Sequence, residues 1–372
     1  MHKILFVPLP EPGHILPTLP IARHLAGRGK KVAYLTAPHF RSMVEQVGAH
    51  LIPLLPEDVC DRDASGSHIW ALFAERNDRN DSRLEQLASA ISRLQEQDNY
   101  SLLLLDRRLA TEHICSLFDG TAGGNVLFST SLPNWDDTGR DIPNVPTLVL
   151  CPELFEIPRF RYPYEFLHYV EPSICSFDDI PFALDQINGT KPLILAAFGT
   201  QSVKQRRLEN LYKLVAEVAR RQDQFQFVMA VPNPEHHVDT SLQLRSRNLF
   251  ITERIPQRLL LEKAAVFINH GGLGSIKEAI IAGTPMIIMP SLHDQPFNAM
   301  RVRYHGLGEA LFEESQTVEA LEKLVLAAIS GKYTTSLLRM RAHFLALEAS
   351  AVSHMLIDNR LDCGENTSTL GS

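Results

Sequence analysis

The sequence is short of three features that would place it in a specialised class: long apolar runs, paired cysteines and an excess of positive charge. No apolar run approaches the roughly 20 residues of a membrane-spanning helix. The first apolar segment, Ile4–Val7, is too short for the core of a secretory signal, and Pro8 follows it at once. We therefore expect a cytoplasmic chain without a transmembrane segment.

The 372 residues include five cysteines, and no Cys-x-x-Cys pair occurs. They are Cys60, Cys115, Cys151, Cys175 and Cys363. An odd and scattered set argues against a disulfide framework and against a zinc ribbon. Lysine and arginine total 36 against 43 aspartate and glutamate residues, a net charge of −7. Nucleic-acid-binding domains are usually basic, so no nucleic-acid partner is expected.

A catalytic metal is poorly supported as well. Glu235, His236 and His237 are adjacent, but Pro232 and Pro234 place them in a predicted loop. The His-Glu-x-x-His pattern of zinc hydrolases does not occur. We expect no metal and no bound cofactor.

Short apolar runs alternate with helical patterns in both halves of the chain, which indicates βαβ units and parallel sheets. Between them, from Ser131 to Ile187, prolines are dense and helical periodicity is weak. A ligand is expected at the carboxyl ends of the strands, in the cleft between two α/β domains. The predicted limits are residues 1–174 for the N-terminal domain, 175–191 for a linker, 192–348 for the second domain, 349–361 for a C-terminal helix and 362–372 for a disordered tail.

One histidine and one aspartate follow predicted strands of the N-terminal domain. His14 comes after strand Ile4–Val7 and before a helix, and Asp106 comes directly after strand Ser101–Leu105. A carboxylate beside an imidazole fixes its tautomer and stabilises the imidazolium, so the pair can act as a general base. No Gly-x-Ser-x-Gly elbow accompanies them, so the base would deprotonate a substrate hydroxyl. The alternative is that His14 is a structural histidine.

A glycine-rich turn from His270 to Glu278 joins a predicted strand to a helix that begins near Ser275. Free backbone N–H groups at a helix N-terminus suit a phosphate. The alternative is a structural turn capped by Ser275. A nicotinamide-type Gly-x-Gly-x-x-Gly is excluded because Lys277 occupies the third glycine position, and no phosphate-loop motif occurs. Glu278 suits a ribose diol, or it forms a capping box with Ser275.

A second polar pair, Asp294-Gln295, follows the predicted strand Met286–Met289. A carboxylate and an amide at this position suit the hydroxyls of a sugar. The alternative is that Asp294 is only the N-cap of the next helix.

Together these segments resemble the nucleotide-sugar-dependent glycosyltransferases of family 1, which have the GT-B fold and include macrolide and plant glucosyltransferases. Pro10–Pro17 resembles the family's Pro-x-x-Gly-His-x-x-Pro, and Tyr169–Ser173 resembles its Tyr-Val-Gly-Pro-Ser, with Glu171 in place of the glycine. The other matching segments are Phe198–Thr200, Ile255–Gln257, His270–Glu278 and Asp294–Gln295. The resemblance covers most of the chain.

The resemblance implies a role for each matching position. His14 is the base, and Asp106 is its acidic partner. Arg254 stands where many members carry a tryptophan that stacks on the nucleobase. The implied donor contacts are Thr200, His270, Gly272, Gly274 and Ser275 at the diphosphate, Ile255 and Gln257 at the nucleobase, Glu278 at the ribose, and Asp294 and Gln295 at the sugar.

The resemblance also implies two Rossmann-like domains whose parallel sheets face each other across a cleft, with a C-terminal helix that crosses back to the N-terminal domain. The implied reaction moves a sugar, glucose, with inversion from a UDP-sugar or dTDP-sugar to a hydroxyl of a small, apolar acceptor, giving a β-glycoside without a metal. Alternatives are another GT-B enzyme, such as a lipid-linked sugar transferase or a nucleotide-sugar epimerase, and a non-catalytic nucleotide-sugar-binding protein.

The acceptor side departs from the family. The segment between Asp106 and Tyr169 is shorter than usual and rich in proline, which predicts an open acceptor pocket or a small, flat or amphiphilic acceptor. Trp70, Phe73 and Trp135 are candidates to line that pocket. Aromatic residues at helical spacing are more often part of a core, which is the alternative for these three.

Overall fold

The structure is a computed structural model. It describes residues 2–54, 82–132, 142, 144–158, 166–175, 182, 187, 189–199, 206–232, 234 and 246–368. The chain divides into two compact units. Unit 1 comprises Met1–Glu153, Phe160–Cys175 and Leu347–Ser372, and unit 2 comprises Leu154–Arg159 and Ser176–Ala346. The short segment Leu154–Arg159, which lies inside the predicted N-terminal domain, thus groups with unit 2.

Unit 1 is built on a seven-stranded sheet in which all neighbouring strands are parallel. The strands are β1 (Lys3–Val7), β2 (Lys31–Thr36), β3 (His50–Pro53), β4 (Leu102–Asp106), β5 (Gly124–Ser129), β6 (Thr147–Val149) and β7 (Leu167–Tyr169). Their order across the sheet is β3-β2-β1-β4-β5-β6-β7. The central strand β4 buries four consecutive leucines completely, as expected for a parallel sheet covered on both faces. The helices that belong wholly to its chain segments are α1 (Pro12–Ile15), α2 (Leu19–Gly27), α3 (Arg41–Gln46), α4 (Ser82–Asp98), α5 (Glu112–Ser116) and, after the chain has passed through unit 2, α12 (Val352–Ser368).

Unit 2 repeats this construction with a six-stranded parallel sheet. The strands are β8 (Leu193–Ala197), β9 (Gln226–Ala230), β10 (Leu249–Thr252), β11 (Ala264–Asn269), β12 (Met286–Ile288) and β13 (Gly308–Ala310), in the order β10-β9-β8-β11-β12-β13. The helices are α6 (Arg206–Arg221), α7 (Gln257–Leu261), α8 (Leu273–Ala282), α9 (Gln295–Tyr304), α10 (Val318–Ile329) and α11 (Thr334–Ser350), whose last residues belong to unit 1. Two parallel α/β sheets confirm the predicted fold class.

Two strands of unit 1 were not predicted. Strand β5 begins with Gly124 and Asn125, which are poor strand formers, and it is recognised only by its pairing with β4. Strand β7 is a half-buried edge strand of three residues in the proline-rich region. Strand β5 has an apolar run of only three residues, Val126–Phe128, and β7 has none of that length.

The C-terminal helix α12 returns to unit 1, as the fold prediction states. Its side chains Ile357 and Leu361 are buried, and the Arg360 Nε donates to the Gly123 carbonyl at 3.1 Å. The imidazole of His24, on α2, stacks on that of His354 with ring centroids 4.0 Å apart. The helix continues to Ser368, into the segment 362–372 that was expected to be disordered.

A buried carboxylate caps the start of α12. Ala351 precedes this helix with a φ of 47° and has no side-chain acceptor to offer its first N–H groups. Glu171 takes that role from the segment after β7: its Oε2 accepts the Ser353 N–H at 2.9 Å, and its Oε1 accepts the Ser353 hydroxyl. Glu171, at a position where the family carries a glycine, therefore binds the start of α12 to the segment that follows β7.

Candidate functional site

His14 and Asp106 are in direct contact at the carboxyl ends of two neighbouring strands. The His14 Nδ1 lies 2.6 Å from the Asp106 Oδ2, and both side chains are buried. Strand β1 pairs directly with β4, which brings the loop after β1 beside the last residue of β4. The sequence predicted that His14 lies before a helix, whereas the structure places it within the one-turn helix α1.

The surroundings of Asp106 keep its carboxylate ionised. Its Oδ1 accepts the Arg108 backbone N–H at 3.0 Å, and its Oδ2 accepts the Leu9 N–H at 3.3 Å. Burial alone would raise the pKa of Asp106, but the adjacent His14 and the Arg108 N–H favour the charged form and lower the pKa below its ordinary value of 3.8. An ionised carboxylate only accepts hydrogen bonds, so His14 donates from Nδ1, and the lone pair of the neutral ring is the one on Nε2.

Thr130 is a third member of this group, and the sequence analysis missed it. Its hydroxyl oxygen lies 3.0 Å from the His14 Nδ1. Thr130 directly follows β5, the strand that pairs with β4. Thr130 could have been found in the sequence if β5 had been recognised, because a residue just after the next parallel strand lies at the same edge of the sheet.

In unit 2, the imidazole of His270 fills the space between two glycine backbones. A Cβ on Gly199 would lie 2.9 Å from the ring Cε1, and a Cβ on Gly272 would lie 2.6 Å from the Nε2. Both distances are shorter than carbon and nitrogen tolerate, so any side chain at either position would displace the ring. Glycine at these two positions is therefore a requirement of packing around His270.

The His270 ring has a polar atom to offer a ligand. Its Nδ1 is buried and has no hydrogen-bond partner. Burial lowers the pKa of His270 below its ordinary value of 6.5, opposed by the Asp294 carboxylate and the Ala197 carbonyl. The ring is therefore neutral at neutral pH in the absence of a ligand.

The helix that follows begins two residues earlier than predicted. Gly272 is the N-cap of α8, and no side chain caps this N-terminus. The capping-box alternative for Ser275 and Glu278 is therefore wrong, because Ser275 lies inside the first turn. Both side chains instead meet the Gln257 Nε2, which lies 3.2 Å from the Ser275 Oγ and donates to the Glu278 Oε2 at 2.6 Å. Three residues predicted to bind the nucleotide thus form one cluster.

Asp294 and Gln295 lie together at the start of α9. Asp294 occupies the N-cap position, but its side chain makes no capping hydrogen bond and accepts the Asn298 Nδ2 at 2.9 Å. The Gln295 Oε1 accepts the N–H groups of Ser291 and Leu292 at 2.9 and 3.0 Å. The side-chain NH2 group of Gln295 therefore points away from these two backbone N–H groups.

The structure describes only some of the remaining predicted residues. Ile255 is buried, and a Cβ on Gly274 would meet no atom within 4 Å, so Gly274 is not fixed by packing. The predicted residues Thr200, Trp70, Phe73 and Trp135 and the cluster Glu235–His237 lie outside the described residues.

The described residues contain no group of three or more histidine, cysteine, aspartate or glutamate side chains able to hold a metal ion. In the same residues, no helix combines the length and the apolar character that crossing a membrane requires.

Comparison with known proteins agrees with the geometry of both units. The family model of the C-terminal domain of erythromycin biosynthesis protein CIII-like proteins matches residues 226–351. The NDP-glycosyltransferase YjiC of Bacillus subtilis (strain 168) is 26% identical over 374 residues, covering 89% of this chain and 90% of YjiC. The solved structure of the glycotransferase of kitacinnamycin gives a TM-score of 0.75 at 22% identity, covering 96% of this chain and 99% of that one. Arabidopsis thaliana UGT89C1 complexed with UDP gives 0.73 at 18% identity, covering 98% and 100%.

Two Rossmann-like units with parallel sheets, in a chain that aligns over nearly its full length with such structures, show the GT-B fold. The matched relative is named a glycosyltransferase. Together with the family match and the ordered motifs, it supports a nucleotide-sugar-dependent glycosyltransferase of family 1.

Proposed function

We propose that this enzyme transfers glucose from UDP-glucose or dTDP-glucose to a hydroxyl of a small, apolar acceptor, with inversion at the anomeric carbon. The observation that carries the proposal is the 2.6 Å contact between the His14 Nδ1 and the Asp106 Oδ2. It orients an imidazole whose Nε2 can take a proton, at the strand ends where ligands of parallel α/β sheets bind.

The proposed step is a single displacement. The His14 Nε2 removes the proton of the acceptor hydroxyl, and the oxygen forms a bond to the anomeric carbon. The bond from that carbon to the diphosphate oxygen breaks, and its electron pair leaves with the diphosphate. The imidazolium formed on His14 is stabilised by the ionised Asp106. Because the acceptor attacks opposite the leaving group, an α-linked donor gives a β-glycoside.

The leaving diphosphate is proposed to bind at the turn before α8. The uncapped N-terminus of this helix presents backbone N–H groups, and the unpartnered Nδ1 of His270 lies in the same turn. An adjacent anion favours the imidazolium, which donates from both ring nitrogens. Thr200, Gly274 and Ser275 complete this proposed diphosphate site, with Ile255 and Gln257 at the nucleobase and Glu278 at the ribose.

The test is His14→Ala. We expect transfer to hydroxyl acceptors to fall below detection, while the dissociation constant for the nucleotide sugar, measured by calorimetry, stays within about twofold. The matched control is His113→Ala on α5, an exposed histidine outside the proposed site. Near-normal turnover by His14→Ala would refute the assignment.

The stereochemical part has its own measurement. A phenol and macrolide acceptor panel, screened by mass, identifies a product, and the proton coupling at its anomeric carbon distinguishes a β- from an α-glycoside. An α-glycoside from an α-linked donor would refute inversion. Release of free glucose with every acceptor tested would instead indicate a donor-binding protein with only hydrolytic activity.

A further inference from the structure

Helix α9 carries two completely buried polar side chains, Asn298 and Arg301, that the proposed reaction does not use. Both are 0% exposed to solvent. Burying an amide and a guanidinium is costly unless each is hydrogen-bonded. Their hydrogen bonds lead to two parts of the proposed donor site.

The orientation of the Asn298 amide is fixed by its neighbours. The Arg301 Nη1 donates to the Asn298 Oδ1 at 3.2 Å, and a guanidinium can only donate. The amide nitrogen therefore faces the other way. It donates to the Gly271 carbonyl and to the Asp294 Oδ2, each at 2.9 Å. Its two hydrogens thus have two acceptors.

Arg301 is itself held on its other side. Its Nε and Nη2 donate to the two carboxylate oxygens of Glu156 at 2.7 and 2.9 Å, and neither side chain is exposed. This bidentate geometry leaves the guanidinium little freedom to rotate. Glu156 lies in the segment Leu154–Arg159, which groups with unit 2.

A second asparagine side chain also binds the backbone of Gly271. The Asn269 Oδ1 accepts the Gly271 N–H at 2.8 Å, while Asn298 holds the carbonyl of the same residue. The glycine turn and the Asp294 carboxylate are therefore attached to one amide group. Asn298 thus links the glycine turn directly to Asp294, across an intervening chain of more than twenty residues.

We infer that Asn298 is a positioning residue for the nucleotide sugar, which sets the spacing between Asp294 and the glycine turn, and that Arg301 and Glu156 fix its orientation. The inference rests on the proposed function, in which Asp294 binds hydroxyls of the sugar and the turn binds the diphosphate. One donor molecule must reach both, so a rigid spacing favours the intact nucleotide sugar over the free nucleoside diphosphate.

The test compares two ligands on each variant. The dissociation constants of UDP-glucose and UDP, or of the dTDP pair if that donor is the one turned over, are measured by calorimetry. Asn298→Ala should raise the ratio of the first constant to the second by about tenfold, the equivalent of one hydrogen bond to a charged group. A general loosening of unit 2 would change both constants together and leave the ratio as it was.

The matched control is Asn248→Ala. The Asn248 Nδ2 donates to the carbonyls of Ala219, Gln222 and Phe225 at 2.9, 2.9 and 3.0 Å, away from every proposed site residue. This variant should lose stability while its ratio stays within about twofold. If Asn298→Ala does not fold, Asn298→Asp serves instead, since it keeps the volume and the contact to Arg301 but turns an oxygen towards Asp294.

Asp294→Ala separates the two hypotheses. If it raises the ratio and Asn298→Ala does not, the positioning role is refuted and the sugar contact stands. If it leaves the ratio unchanged, the sugar contact itself is refuted and the inference with it. If both raise the ratio, the double variant should be no worse than Asp294→Ala, because the two residues act as one unit. Additive effects would refute positioning.

Discussion

Replacing Asp106 with asparagine tests whether a charge or merely a hydrogen bond at this position supports His14. The carboxylate receives three donors: the Arg108 N–H at Oδ1, and the Leu9 N–H and the His14 Nδ1 at Oδ2. An asparagine has only one oxygen for these two positions. Wherever its NH2 group points, it meets a group that was a donor to the carboxylate.

The distances indicate which arrangement the variant adopts. With the NH2 group at the Oδ1 position, it would oppose the Arg108 N–H, a contact of 3.0 Å between two donors, of which the backbone N–H cannot change its role. With the NH2 group at the Oδ2 position, it opposes the more distant Leu9 N–H and faces the His14 Nδ1. His14 can adapt by moving its proton to Nε2, whereas Arg108 cannot. We therefore expect the tautomer that has no basic Nε2.

The wrong tautomer together with loss of the countercharge typically costs a catalytic histidine about three to four orders of magnitude in rate. We expect kcat for Asp106→Asn to fall by about this factor, with the dissociation constant of the donor unchanged, in steady-state and calorimetric measurements. A fall of less than about tenfold would refute the assigned hydrogen-bond pattern.

The pH dependence of stability provides a control on the same carboxylate. Because the pKa of Asp106 is lowered in the fold, its stabilising contribution is complete above its ordinary value of 3.8 and is lost as the pH falls through the folded-state value. The advantage of the parent over Asp106→Asn in free energy of unfolding should therefore shrink as the pH falls below 3.8.

Two further predictions concern packing and capping. Gly272→Ala should weaken donor binding by at least about tenfold and lower the melting temperature, because its Cβ would lie 2.6 Å from the His270 Nε2. The matched control is Gly189→Ala, which lies outside the proposed site; its Cβ would meet nothing within 4 Å, and it should do neither. Equal effects of the two substitutions in calorimetry would contradict the packing argument. Glu171→Ala should reduce the free energy of unfolding by about 1–3 kcal/mol, because the buried Ser353 N–H loses its acceptor; Glu171→Gln, which keeps one oxygen, should cost less. Denaturant titration measures both, and no loss in Glu171→Ala would show that α12 needs no cap.

The parts of the fold that could be predicted are those set by local patterns. The buried strands β1, β4 and β8 are apolar runs followed by turn residues, and the polar and apolar positions of α6 follow the helical period. The proposed site residues could be chosen because motifs place them just after strands. Pairing of His14 with Asp106 followed from the rule that parallel strands end at one edge.

What could not be predicted depends on contacts between distant segments. Nothing near Asn298 in the sequence shows that its amide meets Gly271, and the ion pair of Arg301 with Glu156 joins residues 145 positions apart. The spacing of Ser275 and Glu278 suggested a capping box, but this spacing also puts two side chains on one helix face, where both reach Gln257. Local spacing could not distinguish these outcomes.

The net charge of −7 bears on how the proposed donor site would bind an anion. Its carboxylates are engaged by amides: Asp294 accepts from Asn298, and Glu278 accepts from Gln257. The N-terminus of α8 is left with its backbone N–H groups uncapped by any side chain. A diphosphate at this turn would thus meet oriented N–H dipoles while the neighbouring negative charges are hydrogen-bonded. On the proposed function, selectivity for an anionic donor resides in the hydrogen-bond geometry of unit 2 and needs no basic surface.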